Sequence, residues 1–599
     1  MKYPKLKAIA HDKQYIDTFG GYNHNVRIAE NEFFDVVNMT ADSYPLLKTR
    51  KPHGVFKEGY ASGIDGMISK YELCYIADGL FYMGDEQVDL GLTSSEKTLV
   101  SMGAYVIIFP DKKYVNTADL SDFGSIAATD TGNAALIVNC KSDGTQIPNA
   151  NLTISDTQPE TGGRGKYWLD TSTTPHTMLE YSTESGEWFV TKGYVKIISE
   201  SITNALSTGD SVTLAGFAGE GYDLNGYQSI AAAGIDTTST GAAVKRYVVV
   251  PGTISEKSIS ISTNFSITRD APDMDFVIEA NNRLWGCKYG IVDGKLINEI
   301  YASKLGDFRN WRNYAGISTD SYAASVGTDG PFTGAVNFGG YPLFFKERCV
   351  HKVYGTMPSN FQIQTDMING VQQGCHNSLA IVNDVLYYKS RSGVCAYDGS
   401  LPAIISDKLG DEAYGSAVGG GIGSKYFITM KQLGVSYDFI YDTKKGIWHR
   451  SQIPHSIVQY CAHEDEMYFR TNPARDNFIG TTFKQPKHNE EEDESEFEEK
   501  NVFWHAESGM MGLYTEDKKY LVSLNVRIKV NLGTRVRFYV EYDSSGHWEP
   551  ICSMVGRGIQ IINMPIIPRR CDHFRIKIEG LGDATLFSIC KTIEEGTEL

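Results

Sequence analysis

Only a few places in the chain have side chains whose type and spacing could do chemistry. His463 and Glu464 are neighbours in CAHEDEMYF, and both an imidazole and a carboxylate can bind a metal. Neighbouring residues of a strand point to opposite faces, so we expect this pair to cap a turn and not to share a metal. The glycine-rich stretch GGRGKYW at 162–168 is basic, but no Ser or Thr follows Lys166 and no helix pattern continues it. We expect a surface hairpin there and not a phosphate site.

The common catalytic motifs are missing from the sequence. GxSxG, HExxH and GxxxxGK followed by Ser or Thr do not occur, and Asp273 and Asp275 belong to no calcium loop but are expected to end an inserted segment. A carboxylate pair for glycoside cleavage stays open, because the 73 Asp and Glu residues can meet in three dimensions. We predict no catalytic, cofactor-binding or metal-binding residue, no cofactor, and a protein that is not an enzyme.

A basic stretch near the end of the chain, MPIIPRRCDHFRIK, allows two interpretations. It contains Arg569, Arg570, Asp572, His573 and Arg575 at the entrance of a strand. The first interpretation is local pairing of an arginine with Asp572, and the second is an interface with a neighbouring subunit of a ring. The stretch does not form an aromatic and basic platform for single-stranded nucleic acid.

Composition favours a large all-β protein assembled in a reducing compartment. The chain has 599 residues, 41% of them hydrophobic, with 59 glycines, 35 tyrosines and 27 phenylalanines. Its ten cysteines are scattered without CxxC spacing, so buried free thiols are expected. A net charge of −17 gives no electrostatic attraction to nucleic acid. No apolar run reaches the about 18–20 residues of a membrane helix, and no secretory signal is visible.

A recurring hairpin predicts a β-propeller. A short strand, a two-residue turn and an aromatic-rich strand repeat every 40 to 44 residues, as in VNFGGYPLFFK, and the second strands begin at Tyr341, Val385, Lys425 and Glu466. Further copies lie around Asp78, Gly103 and Asn281. Turn pairs such as Gly-Gly and Asn-Asp suit the positive φ of tight hairpins. This period is typical of propeller blades, and we predict about six to eight of them.

The rest of the chain predicts further β domains around the propeller. The predicted fold class is all-β: a β-propeller at 63–116 and 266–485, an inserted all-β domain at 117–265, and a C-terminal β-sandwich at 501–599. Residues 1–62 cannot form a core alone, so we expect an arm that lies on the propeller or on another subunit. Residues 486–500 carry a run of like charges, which indicates an acidic linker, with a partner contact as the alternative.

A Tyr…Gly-x-Trp hairpin occurs three times, at YDTKKGIWHR from Tyr441, YSTESGEWFV from Tyr181 and YDSSGHWEP from Tyr542. The Asp-box of sialidase-like propellers has two residues between Gly and Trp, and each copy here has one. The pattern instead resembles the hairpin of kelch-type blades, in which Trp packs between blades. We therefore expect Trp448 to be a packing residue and Asp442 to cap its turn.

Several stretches together resemble structural proteins of tailed-phage and prophage virions. They include FGGYNHNVRIAENEFFDVVNMTADSYPLLKTRKPHG near the start, NEIYASKLGDFRNW, YPLFFKERCVHKVYG and the final RRCDHFRIKIEGLGDATLFSICKTIEEGTEL. The resemblance implies a virion propeller protein of the tail nozzle, hub or neck (head-tail connector), assembled in the host cytoplasm. It implies a six-fold homo-oligomeric ring with other tail or neck proteins as partners, and DNA ejection through it without specific binding of double-stranded DNA.

Two functions follow from these observations. The first is a structural virion protein in such a ring around the DNA channel, where an acidic wall would not hold phosphates. The alternative is a tail-associated propeller that binds or degrades a glycan for receptor recognition. The alternative requires a pocket lined by two carboxylates and exposed aromatic residues on one face of the propeller.

Overall fold

The fold is all-β, as predicted. The structure is a computed structural model that describes residues 11–237, 244–292, 294–314, 316–472, 476–482, 495 and 497–595. Helix in this described part is limited to the single 3₁₀ turns Pro358–Asn360, His376–Ser378 and Asp407–Leu409. The predicted class, a β-propeller with an inserted all-β domain and a C-terminal β-sandwich, is confirmed.

Among the described residues, seven four-stranded antiparallel sheets have the form of propeller blades, a number within the prediction. Their strands are, for blade 1, Ile64–Ser69, Leu73–Ala77, Leu80–Met83 and Glu86–Val88; for blade 2, Thr98–Met102, Tyr105–Phe109, Lys113–Asn116 and Asp119–Ser125; for blade 3, Phe276–Ala280, Arg283–Val292, Lys295–Ala302 and Tyr322–Ser325; for blade 4, Gly334–Phe338, Tyr341–Lys346, Cys349–Tyr354 and Gln362–Met367; for blade 5, Ala380–Val382, Val385–Ser390, Gly393–Tyr397 and Ala403–Ile404; for blade 6, Ala417–Ile422, Lys425–Gln432, Val435–Asp442 and Ile447–Ser451; and for blade 7, Ile457–His463, Glu466–Thr471, Phe478–Thr481 and Gly54–Glu58.

The repeated hairpins are the turns of these blades. The four predicted second strands begin in the structure at the predicted residues, Tyr341, Val385, Lys425 and Glu466. Their turns use positive φ, for example 49° at Asn383 and 61° at Asp384, as a type I′ turn requires. The copy at Asp78 differs from the others because it joins the second and third strands of its blade.

The chain divides into two compact units, one of residues 1–96, 343–351 and 365–599 and the other of 97–342 and 352–364. The first unit contains blades 1, 5, 6 and 7 together with the C-terminal β-sandwich. One sheet of the sandwich has seven strands: Met39–Thr40, Leu47–Thr49, Ala584–Glu595, Lys519–Val530 and Gly558–Asn563 in order, with His11–Ile16 paired to Ala584–Glu595 and Arg570–Cys571 paired to Lys519–Val530.

The other sheet of the sandwich is continuous with blade 6. Its nine strands are the four of blade 6 followed by Phe33–Val37, Phe503–Ser508, Phe574–Leu581, Arg535–Tyr542 and Glu549–Val555. Strand Phe33–Val37 joins the two halves: Val37 pairs in parallel with Arg450 of blade 6, and Val36 pairs with Ala506 on the other side. The N-terminal residues therefore supply strands to both sandwich sheets and, through Gly54–Glu58, the last strand of blade 7.

The second unit contains blades 2 and 3 and the sheets of the insertion. These are a four-stranded sheet of Ala128–Gly132, Phe265–Arg269, Ser211–Ala215 and Gly226–Ser229; a five-stranded sheet of Ala232–Ile235, Arg246–Pro251, Tyr194–Ser199, Ala135–Cys140 and Ser258–Ile261; a smaller sheet of Leu152–Ser155, Tyr167–Asp170, Thr177–Ser182 and Glu187–Thr191; and the hairpin Ala218–Gly219 with Tyr222–Asp223. The smaller sheet has its own buried cluster, centred on Leu169.

The Tyr…Gly-x-Trp hairpins take two forms. Trp448 is buried and lies 4.9 Å from the Tyr441 ring, and Asp442 accepts hydrogen bonds from the backbone N–H groups of Lys444 and Lys445, each at 3.1 Å. In the copy in the insertion, the rings of Tyr181 and Trp188 make the same contact, with a centroid distance of 5.3 Å. In the third copy, the cations of two basic side chains of strand Phe574–Leu581, Arg575 and Lys577, instead lie over the Trp548 ring.

All ten cysteines are free in the structure, and eight of them are buried as predicted. Cys461 and Cys552 are half-buried. Most of the predicted acidic linker at 486–500 lies outside the described residues. At its described end, Glu499 pairs with Arg50, with a Nη2–Oε1 distance of 2.9 Å, so this carboxylate anchors the chain just before blade 7 is completed.

Candidate functional site

A polar cleft of about 730 Å³ opens where the loops of blades 5 and 6 meet in the first unit. We call it the polar cleft. It is lined by Asn25, Gln372, Lys389, Arg391, Ser392, Gly393, Val394, Ser406, Asp407, Leu409, Gly410, Asp411, Glu412, Ala413, Tyr414 and Met430. Its volume falls within the about 300–1,000 Å³ of small-molecule sites. Most of these residues lie in loops outside the strands, where functional side chains are commonly placed.

The loop at 405–416 forms one wall of the polar cleft and is held at its start by three hydrogen bonds. The indole N–H of Trp448 donates to the carbonyl of Ile405 at 2.8 Å, and the N–H of Ile405 donates to the carbonyl of Val394 at 2.9 Å. The Ser406 hydroxyl accepts from the N–H of Val394 at 3.0 Å. Gly393, with φ of +140°, faces this hydroxyl so closely that a Cβ would collide with it.

An N-terminal segment also holds this loop. The Asn25 side-chain amide donates to the carbonyl of Asp407 at 3.0 Å, and the N–H of His24 donates to the carbonyl of Lys408 at 2.8 Å. Lys408 also forms an ion pair with Glu32 at 2.9 Å. The loop is thus fixed between blade 5 and the N-terminal residues, which makes the polar cleft a preformed feature.

The wall supplied by blade 5 is cationic. Lys389 is almost fully buried, and its Nζ donates to Gln372 Oε1 at 2.8 Å and to the Ser390 carbonyl at 2.5 Å. Burial lowers the pKa of this amine. Arg391 is exposed and keeps a long contact, 3.4 Å, to the carboxylate of Glu347. Gln372 in turn donates to the carbonyl of Gly415 at 2.6 Å, which ties the two walls together.

The opposite wall carries exposed carboxylates and one tyrosine. Asp407, Asp411 and Glu412 are exposed, and the Gln432 side chain donates a hydrogen bond to Glu412. The ring of Tyr414 is half-buried against Tyr437 and Phe439, each with a centroid distance of 5.9 Å. Burial, and next the charge of Glu412, raise the pKa of Tyr414 to about 12, so its hydroxyl stays neutral near pH 7.

This arrangement suits a ligand with many hydroxyl groups. Carboxylates and carbonyls accept hydrogen bonds, the Lys389 and Arg391 groups donate them, and the Tyr414 hydroxyl does both. Two adjacent carboxylates, Asp411 and Glu412, also supply the residue types that glycoside cleavage requires. The polar cleft is therefore chemically matched to a saccharide.

The residues considered from sequence lie elsewhere and have local partners. His463 Nδ1 is 3.0 Å from the Ser69 hydroxyl, and Glu464 has a φ of +51° in a hairpin turn. Lys166 donates to the carbonyl of Ala150 at 2.6 Å. Asp273 pairs with Lys112, which lowers the pKa of that carboxyl, and Asp275 pairs with Lys288 at 2.9 Å. Among the described residues, no group of three or more His, Cys, Asp or Glu side chains is placed to hold a metal ion.

The basic stretch near the C-terminus is locally paired, but with other partners than expected. Arg569 forms an ion pair with Glu549 at 2.6 Å, and Asp572 bonds to the ring of His573 at 2.8 Å. Arg575 pairs with Glu507 and, at 3.2 Å, with Glu541 across the nine-stranded sheet. These contacts do not test the second interpretation, an interface between subunits.

Sequence reasoning did not single out the polar cleft. Its acidic residues lie in DKLGDEAYG, a short loop between two blades that matches no motif. The one available signal was its position, since a loop rich in charged residues separates two aromatic hairpins. Asn25 and Gln372 also line the polar cleft, but both lie outside this loop in the sequence. The sequence alone therefore does not show that they come together with it.

The fold and the cleft together define a β-propeller protein with a polar pocket formed by loops of its blades. No known protein family matches the sequence, and no curated protein does. Similar solved structures include an exo-β-1,3-galactanase from Phanerochaete chrysosporium, 8% identical over 53% of this chain and 94% of the other, with a TM-score of 0.20. They also include the NanB sialidase from Streptococcus pneumoniae, 10% identical over 76% of this chain and 71% of the other, with a TM-score of 0.21.

An acylaminoacyl peptidase from Pyrococcus horikoshii is similar at 10% identity over 55% of each chain, with a TM-score of 0.25. At these values the likeness transfers no activity and no residue role to this chain.

One prediction has to be corrected. The prediction that the chain is not an enzyme is contradicted by the comparisons, because the similar structures include glycoside hydrolases and a sialidase. That prediction rested on the lack of sequence motifs. Acidic residues that act on a glycoside need not belong to a recognisable sequence motif, because the fold places them around the substrate, so the inference was too strong.

The described part of the chain has no helix with the length and apolar character needed to cross a membrane.

Proposed function

We propose that this protein is a glycan-acting β-propeller whose polar cleft binds an oligosaccharide, with Asp411 and Glu412 beside the bond to be cleaved. The observation that carries the proposal is the convergence of exposed carboxylates, a buried lysine, an exposed arginine and a tyrosine on one preformed cleft. Such a set combines acceptors and donors with a ring face, the combination that orients a sugar.

Each wall has a defined role in the proposal. Lys389 and Arg391 donate hydrogen bonds to sugar oxygens or to an acidic substituent, and Tyr414 packs against a ring. Asp411 and Glu412 are exposed, so both are accessible to a ligand and to the water that hydrolysis consumes. The positions of these acids are fixed by the loop at 405–416.

The test is incubation of the full chain with a panel of purified bacterial surface polysaccharides, with release of reducing ends and binding both measured. We expect the double variant Asp411→Asn, Glu412→Gln to lose about 100-fold or more of the release, the range typical of a lost acid or base. Arg391→Ala should weaken binding about tenfold or more, as for a lost hydrogen bond to a charged group.

The matched control is Asp398→Asn. Asp398 is an exposed carboxylate of the same blade, in the turn after strand Gly393–Tyr397 and therefore at the end of that strand away from the polar cleft. It should change neither binding nor release. Wild-type protein that neither binds nor cleaves any polysaccharide of the panel, or double-variant protein with unchanged activity, would contradict the proposal.

A structural role in a tailed-phage virion is the second candidate, on the residues quoted for that resemblance. An exposed apolar edge favours assembly: Ile559 and Ile561 are 62% and 64% exposed on strand Gly558–Asn563, an edge strand of the seven-stranded sheet, and Val555 is 55% exposed nearby in sequence. In this proposal a second copy covers the edge within a ring of the tail or neck. Mass photometry of the purified chain should then detect a closed ring, and Ile559→Lys, Ile561→Lys should leave monomers.

A further inference from the structure

The insertion contains a second cleft, of about 720 Å³, which we call the insertion cleft. We propose that it binds a neutral saccharide unit, as a site separate from the polar cleft. It is lined by Thr174, Pro175, His176, Thr177, Met178, Thr191, Lys192, Gly193, Gly221, Tyr222, Asp223, Pro251, Gly252 and Thr253. The proposal goes beyond the proposed function, because none of these residues belongs to the polar cleft.

The insertion cleft lies where two parts of the insertion meet. One side comes from the smaller sheet, through strands Thr177–Ser182 and Glu187–Thr191, and the other from the hairpin at Tyr222–Asp223 and the end of strand Arg246–Pro251. Clefts between packed substructures are common places for ligands. Gly193 lets the chain segments approach closely, because a Cβ there would collide with Thr253 and with the carbonyl of Gly252.

Apolar groups provide surfaces on which a sugar ring can lie. Met178 is buried at the base, and the half-buried ring of Tyr222 and the rings of Pro175 and Pro251 line the walls. A pyranose has one face of C–H groups, which packs on such surfaces while its hydroxyls point to the rim.

Polar groups at the rim are placed to meet hydroxyls. His176 Nδ1 lies 2.9 Å from the carbonyl of Thr173, and since a carbonyl only accepts, Nδ1 donates this hydrogen bond, which leaves Nε2 of the neutral ring as an acceptor. This Nε2 points towards Gly221, 4.0 Å from where a Cβ of that glycine would lie. The hydroxyls of Thr191 and Thr253 have no hydrogen-bond partner among the residues that the structure describes, so both can serve a ligand.

The charges of the insertion cleft favour a neutral ligand. Lys192 and Asp223 are its one cation and one anion among the lining residues, and both are exposed at the rim. Asp223 already accepts a hydrogen bond from the N–H of Asn225 at 3.0 Å. One charge of each sign, screened by water, gives no net attraction to an anionic or a cationic group.

Saturation-transfer NMR on the full chain tests the inference, with maltose, cellobiose, lactose and N,N′-diacetylchitobiose as probes. At least one should bind with a Kd of about 1 mM or tighter, as expected for a single small site. Thr191→Trp fills the cleft and should weaken this binding at least about tenfold. His176→Phe keeps a ring of similar shape but removes the Nε2 acceptor, and it should weaken binding by about threefold or more.

Val190→Trp is the matched control, because Val190 is the neighbour of Thr191 on the same strand, points to the opposite face and is 74% exposed. It should leave binding unchanged. If no probe binds, or if Thr191→Trp binds as the wild type does, the inference is overturned. Binding that is lost in Glu412→Gln and kept in Thr191→Trp also overturns it, while supporting the proposed function of the polar cleft.

Discussion

At the scale of single residues, Asp438 makes the stability of the fold depend on pH. It is 4% exposed in blade 6, beside a cavity of about 30 Å³. Its carboxyl accepts hydrogen bonds from the Thr429 hydroxyl at 2.7 Å and from the N–H of Ile453 at 3.0 Å. Burial raises the pKa of Asp438 to about 6 in spite of these hydrogen bonds, which favour the charged form.

A carboxyl whose pKa is raised on folding stabilises the fold only while it is protonated. The unfolded chain has an Asp pKa of about 3.9, so this contribution is fully present below about pH 4 and is lost as pH rises through about 6. Asp438→Asn stays neutral; its Oδ1 can accept from the N–H of Ile453, and its Nδ2 can donate to the Thr429 hydroxyl, which reverses the direction of that hydrogen bond. We expect the melting temperature of the variant to rise relative to wild type between pH 4 and 7, measured by scanning calorimetry.

Asp85→Asn is the control for this titration, because Asp85 has a side chain that is 97% exposed. Its melting temperature should follow the wild-type curve at every pH. Parallel curves for Asp438→Asn and wild type would show that Asp438 does not titrate as described.

At the scale of elements, the Tyr…Gly-x-Trp hairpin of blade 6 is both a packing unit and a support for the polar cleft. Trp448 is 1% exposed, contacts the Tyr441 ring and donates to the Ile405 carbonyl at the start of the loop at 405–416. The copy in the insertion has a half-buried Trp188, in a sheet of four short strands. The same sequence pattern therefore places a fully buried Trp in blade 6 and a half-buried Trp in the insertion.

Trp448→Ala should destabilise the first unit by about 3–5 kcal/mol, the usual cost of removing a fully buried Trp. The variant also loses the hydrogen bond from the Trp448 indole to the Ile405 carbonyl, which holds the start of the loop at 405–416. Hydrogen exchange, measured by mass spectrometry, should therefore accelerate at 405–416 as well as in blade 6. Trp188→Ala is the matched control. Because Trp188 is only half-buried, its replacement should lower the free energy of unfolding by less, and it should leave hydrogen exchange at 405–416 unchanged. Exchange at 405–416 that is equal in Trp448→Ala and wild type would contradict this role of Trp448.

Local features of the blades could be predicted from sequence because they depend on near neighbours. Turn pairs such as Asn383–Asp384 and strands such as YPLFFK identify a blade hairpin without information from elsewhere in the chain. The facing residues of LNVRIKV were also predictable, and Leu524, Val526, Ile528 and Val530 are all fully buried. Alternation along a strand fixes such faces.

At the scale of the whole molecule, long-range pairing was not predictable. Strand Phe33–Val37 lies between blade 6 and strand Phe503–Ser508, and nothing in FFDVV identifies partners more than 400 residues away. The polar cleft has the same origin: Asn25 reaches Asp407 only because these N-terminal residues are fixed there. The boundaries predicted for the arm, insertion and sandwich, and the virion ring, stay predictions.

Above all, we propose that the polar cleft holds an oligosaccharide. Its most direct test is an experimental structure of the full chain with the oligosaccharide that binds best in the polysaccharide screen. We expect density for a sugar unit within hydrogen-bonding distance of Arg391 and of Asp411 or Glu412, with a ring against Tyr414. An empty polar cleft in a complex whose sugar is bound elsewhere on the chain would contradict it.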